Sequence, residues 1–517
     1  MPFSFLFHKP TKLHYLILFL LAFAVRAGVF YWYIAPQERY GQPDSNDYHY
    51  TAVTMSKGLG MYRLNGQPFF WRTPGYPWYL SAFYDENQPI SPHFSDYKES
   101  QQTAIWFQIL LCSLLPILFF WLAYVLTNMT LIGWLMALIG IIHMGFVLAS
   151  TFLLTDALAS LLFILFLIFF FKSFRWSGDE SLVPDGNEQN NSLNNANKSL
   201  VHHALKSIKD PHYGSLVLAA LMLAAYTWLR PMGQFVALIA AVLPLFSALG
   251  WKIKIKQVAL FLGVFFLAIF PWFWRNYQLT ERWFFCPLFG LYLNAFNAPK
   301  ILARTANIPL KEAHKRLQYD ASYYIAKEQE QAAFEVSGRV VVNELVCLKS
   351  ALPIITEHPG YFLYDWITEV CKTTFDLYAS QLVAFAKNTF RWDPIVEYLD
   401  EKIADCLWGE SQQWWMLLLA WLELISALLV WVGIFAGLWF FVAQPLIIGK
   451  RELLYSYGFL WLKTGILIGA VVMQTGGFGY ARLRLPIEPL MLILGIAFWL
   501  WWFQRKDGKN TENSKVS

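Results

Sequence analysis

Ten apolar runs, each close to the length of a membrane-spanning helix, constrain the fold of this chain most strongly. A helix needs about 20 apolar residues to cross the hydrocarbon core of a bilayer. The runs lie at Leu13–Ala35, Ala104–Leu126, Leu131–Ala149, Ala157–Phe171, Tyr213–Leu229, Gly233–Gly250, Val258–Trp274, Trp414–Val442, Leu453–Met473 and Leu485–Phe503. Only 15% of the 517 residues are charged, whereas soluble chains carry about a quarter. The sequence predicts a mainly α, polytopic membrane protein with about ten transmembrane helices.

Clusters of lysine and arginine predict how these spans are oriented. They precede the first span, follow the fourth, sixth and eighth spans, and close the chain. Their members are Lys9, Lys12, Lys172, Arg175, Lys198, Lys206, Lys209, Lys252, Lys254, Lys256, Lys450, Arg451, Arg505, Lys506 and Lys509. If the spans alternate, all of these lie on one side, which the positive-inside rule assigns to the cytoplasm. We expect an inner (plasma) membrane protein with both termini cytoplasmic and no cleaved signal peptide, because Arg26 interrupts the first run.

The spacing of the spans predicts three units and a short tail. They are a seven-span membrane module at 1–275, an extracytoplasmic segment at 276–413, a three-span module at 414–505 and a cytoplasmic tail at 506–517. The first unit contains an outer loop at 36–103 and a linker at 176–211, rich in Asn, Ser and acidic residues, which we expect to be disordered on the cytoplasmic side. The segment at 276–413 is long enough for a small extracytoplasmic domain.

Helical periodicity appears in both outer regions. Asp44–Gly60 predicts a short helix lying on the membrane surface and ended by glycines. Lys311–Phe334 and Tyr361–Phe390 are helical in pattern, and the second is too charged to cross the bilayer, so we expect it at the membrane surface.

Three carboxylates lie at predicted helix starts on the outer side. Asp44 and Asp47, three residues apart, begin the helix of the first outer loop, and Asp156 begins the fourth span. Spacing alone favours N-capping for Asp44, with Asp47 completing an arrangement like a capping box. A catalytic role is compatible with that position, because the helix dipole stabilises a carboxylate there. Asp156 is equally a cap or a second carboxylate at the level of Asp44.

Four arginines on the outer side go against the positive-inside bias. They are Arg230, Arg275, Arg482 and Arg484. One interpretation is snorkelling toward lipid headgroups beside the neighbouring aromatic residues. The other is a phosphate-binding cluster, since a guanidinium fork binds phosphate well. Because all four recur at one depth, we favour phosphate binding for at least two of them.

Three ionisable residues lie within predicted spans: Arg26, Glu423 and Lys463. Glu423 and Lys463 lie at similar depths on consecutive antiparallel helices, which predicts a structural salt bridge between them. As a coupling network the three would instead indicate a secondary transporter. A non-enzymatic envelope scaffold is a third possibility, but it gives the outer arginines and Asp44 no shared purpose.

Metal and disulfide chemistry are weakly indicated. His49 and His93 lack metal-ligand spacing, so no metal site is predicted, although Asp44 and Asp47 leave a divalent cation open as a cofactor. Cys286, Cys347, Cys371 and Cys406 are all external and could form two disulfides in three connectivities.

The motifs on the outer side resemble the C-type glycosyltransferase superfamily. They look most like its bacterial branch near the protein O-mannosyltransferases and the lipid A aminoarabinose transferases. The matching pieces are DSNDYHYTA, WRTPGYPWYL, LTDALASLL, WLRP, PWFWRNY and GYARLRLPIEPL, in the family's order over about a third of the chain. One departure is Arg72-Thr73, where the aminoarabinose enzymes have a Glu-Lys pair before the proline motif, so a lipid A acceptor is not implied.

The resemblance implies an integral membrane glycosyltransferase that takes its sugar from a polyprenyl phosphate, and we expect it to invert the anomeric centre. It implies that Asp44, with Asp47, is the catalytic carboxylate. It further implies substrate-binding roles, with the outer arginines on the donor's phosphate, for Arg72, Tyr76, Asp156, Arg230, Arg275, Asn276, Arg482 and Arg484. The expected partners are the lipid-linked sugar, the bilayer and an extracytoplasmic glycan, lipid or protein acceptor, but no nucleic acid. The lack of a P-loop or dinucleotide glycine motif fits a donor that is not a nucleotide.

Overall fold

A computed structural model describes residues 8–516 apart from 39, 42–43, 65, 67, 89, 92, 175–211, 247–249, 288, 318–337, 379–413, 450–456 and 476–480. Helices dominate the described residues. The main ones are α1 Lys12–Val29, α2 Ser45–Ser56, α3 Gly75–Ser81, α4 Lys98–Cys112, α5 Leu115–Thr127, α6 Thr130–Ile142, α7 Met144–Thr151, α8 Asp156–Phe174, α9 Tyr213–Leu229, α10 Gly233–Val242, α11 Trp251–Thr280, α12 Ala298–Thr305, α13 Gly338–Glu357, α14 Pro359–Phe375, α15 Trp414–Leu438, α16 Phe459–Met473 and α17 Glu488–Val516.

Shorter helical turns join or extend these elements. They are the π-helical turns Phe30–Ile34, Leu293–Asn297 and Trp439–Ala443, the 3-10 turns Ala35–Gln37, Phe94–Tyr97, Leu243–Phe246 and Ala481–Ile487, and the α-turns Phe289–Tyr292 and Gln444–Ile447. Within the described residues, β structure is limited to an isolated bridge between Tyr62 and Pro68. The prediction of a mainly α fold is therefore confirmed.

Each of the ten predicted spans coincides with an apolar helix or a bent pair of helices. Among the described residues, six helical stretches are long and apolar enough to cross a membrane: Lys12–Ile34, Phe94–Thr127, Asp156–Ser173, Trp251–Thr280, Leu417–Ile447 and Ala481–Arg505. A seventh crossing would be the bent pair α6 and α7, and the shorter helices Tyr213–Leu229, Gly233–Phe246 and Phe459–Met473 coincide with the remaining three. The chain is thus a polytopic membrane protein. The predicted linker at 176–211 lies outside the described residues.

The break between α6 and α7 explains why Arg26 is inside a span. The two helices meet at an angle of 44°, which leaves the last carbonyl groups of α6 without helical partners. The fully buried guanidinium of Arg26 donates to the carbonyl oxygens of Gly140 at 2.9 Å and Ile141 at 3.5 Å. Arg26 therefore holds the first span against the broken one, a structural task.

The packing of α15 on α16 shows that the predicted salt bridge between Glu423 and Lys463 is wrong. Trp461 packs so closely on Gly437 that a Cβ there would lie 2.3 Å from its ring, and Leu438 contacts Gly465. Lys463 therefore lies at the level of Gly437. Glu423 is 14 residues earlier on α15, about 20 Å away at 1.5 Å per residue, beyond the reach of both side chains.

Two of the four external cysteines are thiols in the structure. The sulfhydryl of Cys286 donates to the carbonyl oxygen of Trp71 at 3.4 Å, and Cys371 is a free, exposed thiol. Cys406 lies outside the described residues. Because two disulfides would need all four cysteines, that expectation is not met.

The first outer loop is packed into the bundle instead of lying on it. Tyr48, Ala52 and Val53 of α2 are buried, and the helix ends before Gly58, whose φ of 73° favours glycine. The turn after Arg72 is pressed against α9, because a Cβ on Gly75 would lie 2.6 Å from the carbonyl oxygen of Trp228. This contact places the Arg72 turn beside the end of α9.

Gly75→Ala should therefore destabilise the protein, because an extra methyl group would push the Arg72 turn away from the α9 backbone. We expect a loss of about 1–3 kcal/mol, typical of overpacking, measured as a lower thermal unfolding temperature in detergent. Gly263→Ala is the matched control, since nothing lies within 4 Å of its added Cβ. Equal unfolding temperatures for the two variants would contradict this packing.

Candidate active site

Asp44 occupies the N-cap position of α2, but its side chain does not cap the helix. The structure has no side-chain capping hydrogen bond there. Instead Oδ1 accepts from Arg72 Nη2 at 2.8 Å and Oδ2 accepts from Arg482 Nη2 at 3.0 Å, with the side chain 32% exposed. The capping interpretation that spacing favoured is thus wrong for the side chain, which lies between two guanidinium groups.

These contacts extend into a continuous charge cluster, which comprises Asp44, Asp47, Asp156, Arg72, Arg230 and Arg482. Arg72 Nε donates to Asp47 Oδ2 at 3.0 Å. On the other side, Arg482 Nε lies 3.6 Å from Asp156 Oδ1, which also accepts from Arg230 Nη2. Acids and arginines alternate through the cluster, so three carboxylates balance three guanidinium groups.

Residues far apart in sequence supply the cluster, and specific contacts hold their backbones together. Ser45 Oγ donates to the carbonyl oxygen of Leu153 at 2.7 Å, which ties the start of α2 to the turn before α8. Asp156 opens α8, and Arg230 follows the last residue of α9. Arg482 lies in the 3-10 turn between α16 and α17. All four positions lie on one side of the bundle, which we call the site side.

The arginines keep Asp44 ionised. Burial by itself would raise the pKa of Asp44, but the charges of Arg72 and Arg482 and their hydrogen bonds outweigh it and lower the pKa to about 2. Burial likewise lowers the pKa of Arg72, and the neighbouring Tyr48, Asp44 and Asp47 more than restore it, so the net pKa is raised. Asp44 and Arg72 are therefore both charged at neutral pH.

Arg484 is separate from this cluster, although only Leu483 lies between it and Arg482. It is 2% exposed and donates from Nε to Glu488 Oε2 at 2.6 Å and from Nη1 to the carbonyl oxygens of Thr373 at 3.0 Å and Asp376 at 2.6 Å. Glu423 Oε1 lies 3.9 Å from Nη2. These contacts fix the end of α14, so the predicted phosphate contact of Arg484 competes with a structural one.

Three other predicted site residues also make structural contacts. Arg275 donates to the carbonyl oxygen of Met61 at 3.0 Å and lies over the ring of Trp272, while Asn276 Nδ2 donates to the carbonyl oxygen of Phe284 at 3.0 Å. Tyr76 is fully buried, and its hydroxyl donates to Gln108 Oε1 at 3.0 Å. Substrate contacts of these residues stay predictions, and the structure does not bring them into the charge cluster.

The described residues contain no group of three or more His, Cys, Asp and Glu side chains that could hold a metal ion. Arg72 lies between Asp44 and Asp47 and bonds both, and a divalent cation as cofactor stays a prediction. His49, which lacks metal-ligand spacing, is fully buried, and burial lowers its pKa to about 4. Its Nδ1 lies 2.9 Å from the Tyr84 hydroxyl, in a core position.

Sequence reasoning missed several residues that build the site. Thr155 Oγ1 accepts from Arg230 Nε at 3.3 Å, and the ring of Tyr48 lies under the Arg72 guanidinium. Gln108, within a span, donates to the carbonyl oxygens of Ser150 and Phe152 just before Asp156. Thr155 and Tyr48 lie inside the matching motifs, which was an available signal, whereas an isolated glutamine in an apolar run indicated no partner.

No protein-family model matches the chain, and no curated protein matches it. Among solved structures, it is similar to the archaeal oligosaccharyltransferase AglB from Archaeoglobus fulgidus in complex with an inhibitory peptide and a dolichol-phosphate, with 14% identity and a TM-score of 0.45. That alignment covers 97% of this chain and 52% of AglB, so the chain spans about half of AglB's length. The apo form of the A. fulgidus enzyme gives 13% identity and a TM-score of 0.46 over 98% and 52% of the two chains.

ArnT from Cupriavidus metallidurans bound to undecaprenyl phosphate is also similar, with 11% identity and a TM-score of 0.36 over 94% of this chain and 78% of that one. All three of these TM-scores are below 0.5.

The contrast between the two neighbouring arginines is testable. Arg484→Gln should destabilise the protein by about 3–5 kcal/mol, because it removes the guanidinium from the buried Glu488, which keeps only the Tyr378 hydroxyl and His143. Arg482→Gln should cost less, because Asp44 keeps Arg72 and Asp156 keeps Arg230. Thermal unfolding of both variants in the same detergent measures the difference, and the opposite order would show that their structural roles are assigned the wrong way round.

Proposed function

We propose that this chain is an integral membrane glycosyltransferase that moves a sugar from a polyprenyl-phosphate donor to an extracytoplasmic acceptor. The observation that carries the proposal is Asp44, an ionised carboxylate held between Arg72 and Arg482 beside the spans. Such a site combines a proton acceptor with fixed positive charge, the two things that glycosyl transfer from a lipid phosphate requires.

The reaction breaks the bond between the anomeric carbon of the sugar and a phosphate oxygen. The bonding electrons leave with the phosphate, which gains a negative charge as it becomes free polyprenyl phosphate. Arginines fixed near that oxygen stabilise the charge as it develops. Arg72, Arg230 and Arg482 are the candidates, since a guanidinium binds phosphate through two parallel hydrogen bonds.

The acceptor hydroxyl attacks the anomeric carbon and must lose its proton. Asp44 is the candidate base, and it receives that proton as the new glycosidic bond forms. Attack from the face opposite the phosphate inverts the anomeric centre. Asp47 contacts Arg72, so we assign it to positioning that arginine, while Asp156 and Thr155 position Arg230.

Donor binding would also prepare Asp44 for this role. With a pKa of about 2 beside two arginines, Asp44 is a weak base. A phosphate that draws Arg72 or Arg482 away removes positive charge from the carboxylate, so its pKa rises and it accepts a proton more readily. Ion-pair exchange between carboxylate and phosphate thus couples arrival of the donor to activation of the base.

The structure favours neither rival function. A secondary transporter would need Arg26, Glu423 and Lys463 to act together. Arg26 instead binds carbonyl groups of α6. Glu423 lies about 20 Å along α15 from the level of Lys463. A scaffold would not need an acid and several arginines to converge from opposite ends of the chain.

Asp44→Asn should lower sugar transfer by about 10²–10⁴-fold, the usual contribution of a general base. Purified protein is incubated with radiolabelled polyprenyl-phosphate sugars and envelope fractions, and labelled product is counted. The matched control is Asp85→Asn, an exposed carboxylate of the same outer loop, which should retain wild-type transfer. Full activity of Asp44→Asn would remove Asp44 from catalysis.

Arg72→Gln and Arg482→Gln should weaken binding of the lipid phosphate. Undecaprenyl phosphate at 100 times its Kd should stabilise the wild-type protein by about 2.7 kcal/mol, seen as a rise in thermal unfolding temperature. The rise should shrink in both variants and persist in Arg316→Gln, which removes an exposed arginine of the segment 276–413. An undiminished rise in both site variants would exclude these arginines as the phosphate ligands.

A further inference from the structure

Helix α14 has its polar and apolar faces reversed relative to a helix on a water-exposed surface. Its exposed residues are all uncharged: Pro359, Gly360, Tyr361, Leu363, Tyr364, Ile367 and Cys371. Leu363, Tyr364 and Ile367 are 54%, 61% and 48% exposed, whereas Asp365 and Glu369 are each 2% exposed. A helix that faces water presents its charges outward and its apolar stripe to the core.

The buried charges of α14 are paired with basic residues of the protein. Asp365 accepts from Arg304 and Glu369 accepts from Lys300, both on α12, and Lys372 lies 3.4 Å from Glu369. Burying an ion costs several kcal/mol even after relaxation. Turning these charges inward is therefore favourable only if the other side of the helix faces an environment that solvates ions poorly.

Contacts with the spans place the end of α14 beside lipid-facing helix surface. Trp431 Nε1 of α15 donates to the carbonyl oxygen of Thr374 at 3.3 Å, and Thr373 Oγ1 donates to Thr475 Oγ1, just beyond α16, at 2.7 Å. From Trp431 toward its start, α15 presents Leu428, Ile425, Leu422 and Leu418, which are 47–55% exposed. From Trp431 to Leu418 this surface covers about 20 Å of helix, so α14 ends well below the limit of the apolar surface of α15.

We propose that the apolar face of α14, which comprises Tyr361, Leu363, Tyr364 and Ile367, is embedded in the lipid leaflet on the site side. Its partner is the bilayer itself, continuous with the lipid around α15. Part of the predicted extracytoplasmic segment then lies in the membrane interface instead of standing in water. This inference does not depend on the proposed function.

The order of residues along α14 fits a helix that runs from the lipid headgroups toward the acyl chains. Tyr361 and Tyr364 lie at the end away from the spans, and tyrosine is enriched at the headgroup level of membranes. They line a groove of about 670 Å³ with Arg304, Glu357 and His358, polar groups suited to headgroups. Leu363 and Ile367 follow toward Thr374, where aliphatic side chains meet the acyl chains.

Spin labelling in lipid nanodiscs tests this placement. Nitroxides are attached to Leu363→Cys and Ile367→Cys in a chain whose five native cysteines are replaced, with Glu312→Cys as the control, an exposed charged position in the same segment. Collisions with oxygen, which concentrates in lipid, and with a water-soluble nickel chelate are measured at each position. We expect a ratio of oxygen to nickel collisions several-fold higher at Leu363 and Ile367 than at Glu312.

Each alternative occupant gives a different result. A nickel collision rate equal to that at Glu312 would mean that the face is in water. Low collision rates for both reagents would mean that a second copy or another protein covers the face. Either result would overturn the proposal. If the cysteine-free chain fails to fold, a photo-crosslinking amino acid at Ile367 in the unaltered sequence replaces the labels. Cross-links to lipid support the proposal, and cross-links to protein or to neither contradict it.

Discussion

The charge cluster depends on one physical constraint: a carboxylate in a poorly solvated site stays ionised only if positive charge lies within hydrogen-bonding distance. Asp156 is 1% exposed and Arg230 is 8% exposed, so neither charge would tolerate loss of its partner. Asp44 is held by Arg72, 28 residues away, and by Arg482, 438 residues away. Neutrality of the cluster therefore links the region around Asp44 and Arg72 to the turn that carries Arg482, and both regions must be folded before the cluster forms.

Much of the fold follows from residue patterns. Apolar run length predicted the apolar helices, six of which are long enough to cross a membrane in the part of the chain that the structure describes, because hydrocarbon forces every backbone polar group into helical hydrogen bonds. Part of the first outer loop was predicted, since α2 begins and ends near the predicted residues. The burial of α2 could not be predicted from the sequence of the helix. Tyr48 and His49 are core residues because Tyr84, Gln101 and Arg72 converge on them, and convergence of distant segments leaves no local periodicity.

The site was predictable as a set of residue types but not as a set of pairs. The positive-inside bias singled out Arg230 and Arg482, and the structure brings both into the charge cluster. The same rule could not separate Arg482 from Arg484, which share their motif and their depth. The predicted salt bridge between Glu423 and Lys463 was wrong because their depths were counted from the helix ends, which assumed that α15 and α16 end at the same level. The packing of Trp461 on Gly437 shows that α15 extends much further toward the site side.

The short turn that carries both arginines gives them their different roles. A 3-10 helix has three residues per turn, so residues two apart point about 240° around its axis from one another. Arg482 can therefore face Asp44 while Arg484 faces the carbonyl groups that end α14. Arg484 anchors the turn to Glu488 and Asp376. These contacts fix the backbone position of Arg482. A phosphate that competes for Arg482 would meet a guanidinium whose backbone is already fixed, so the exchange of partners requires only side-chain rotation.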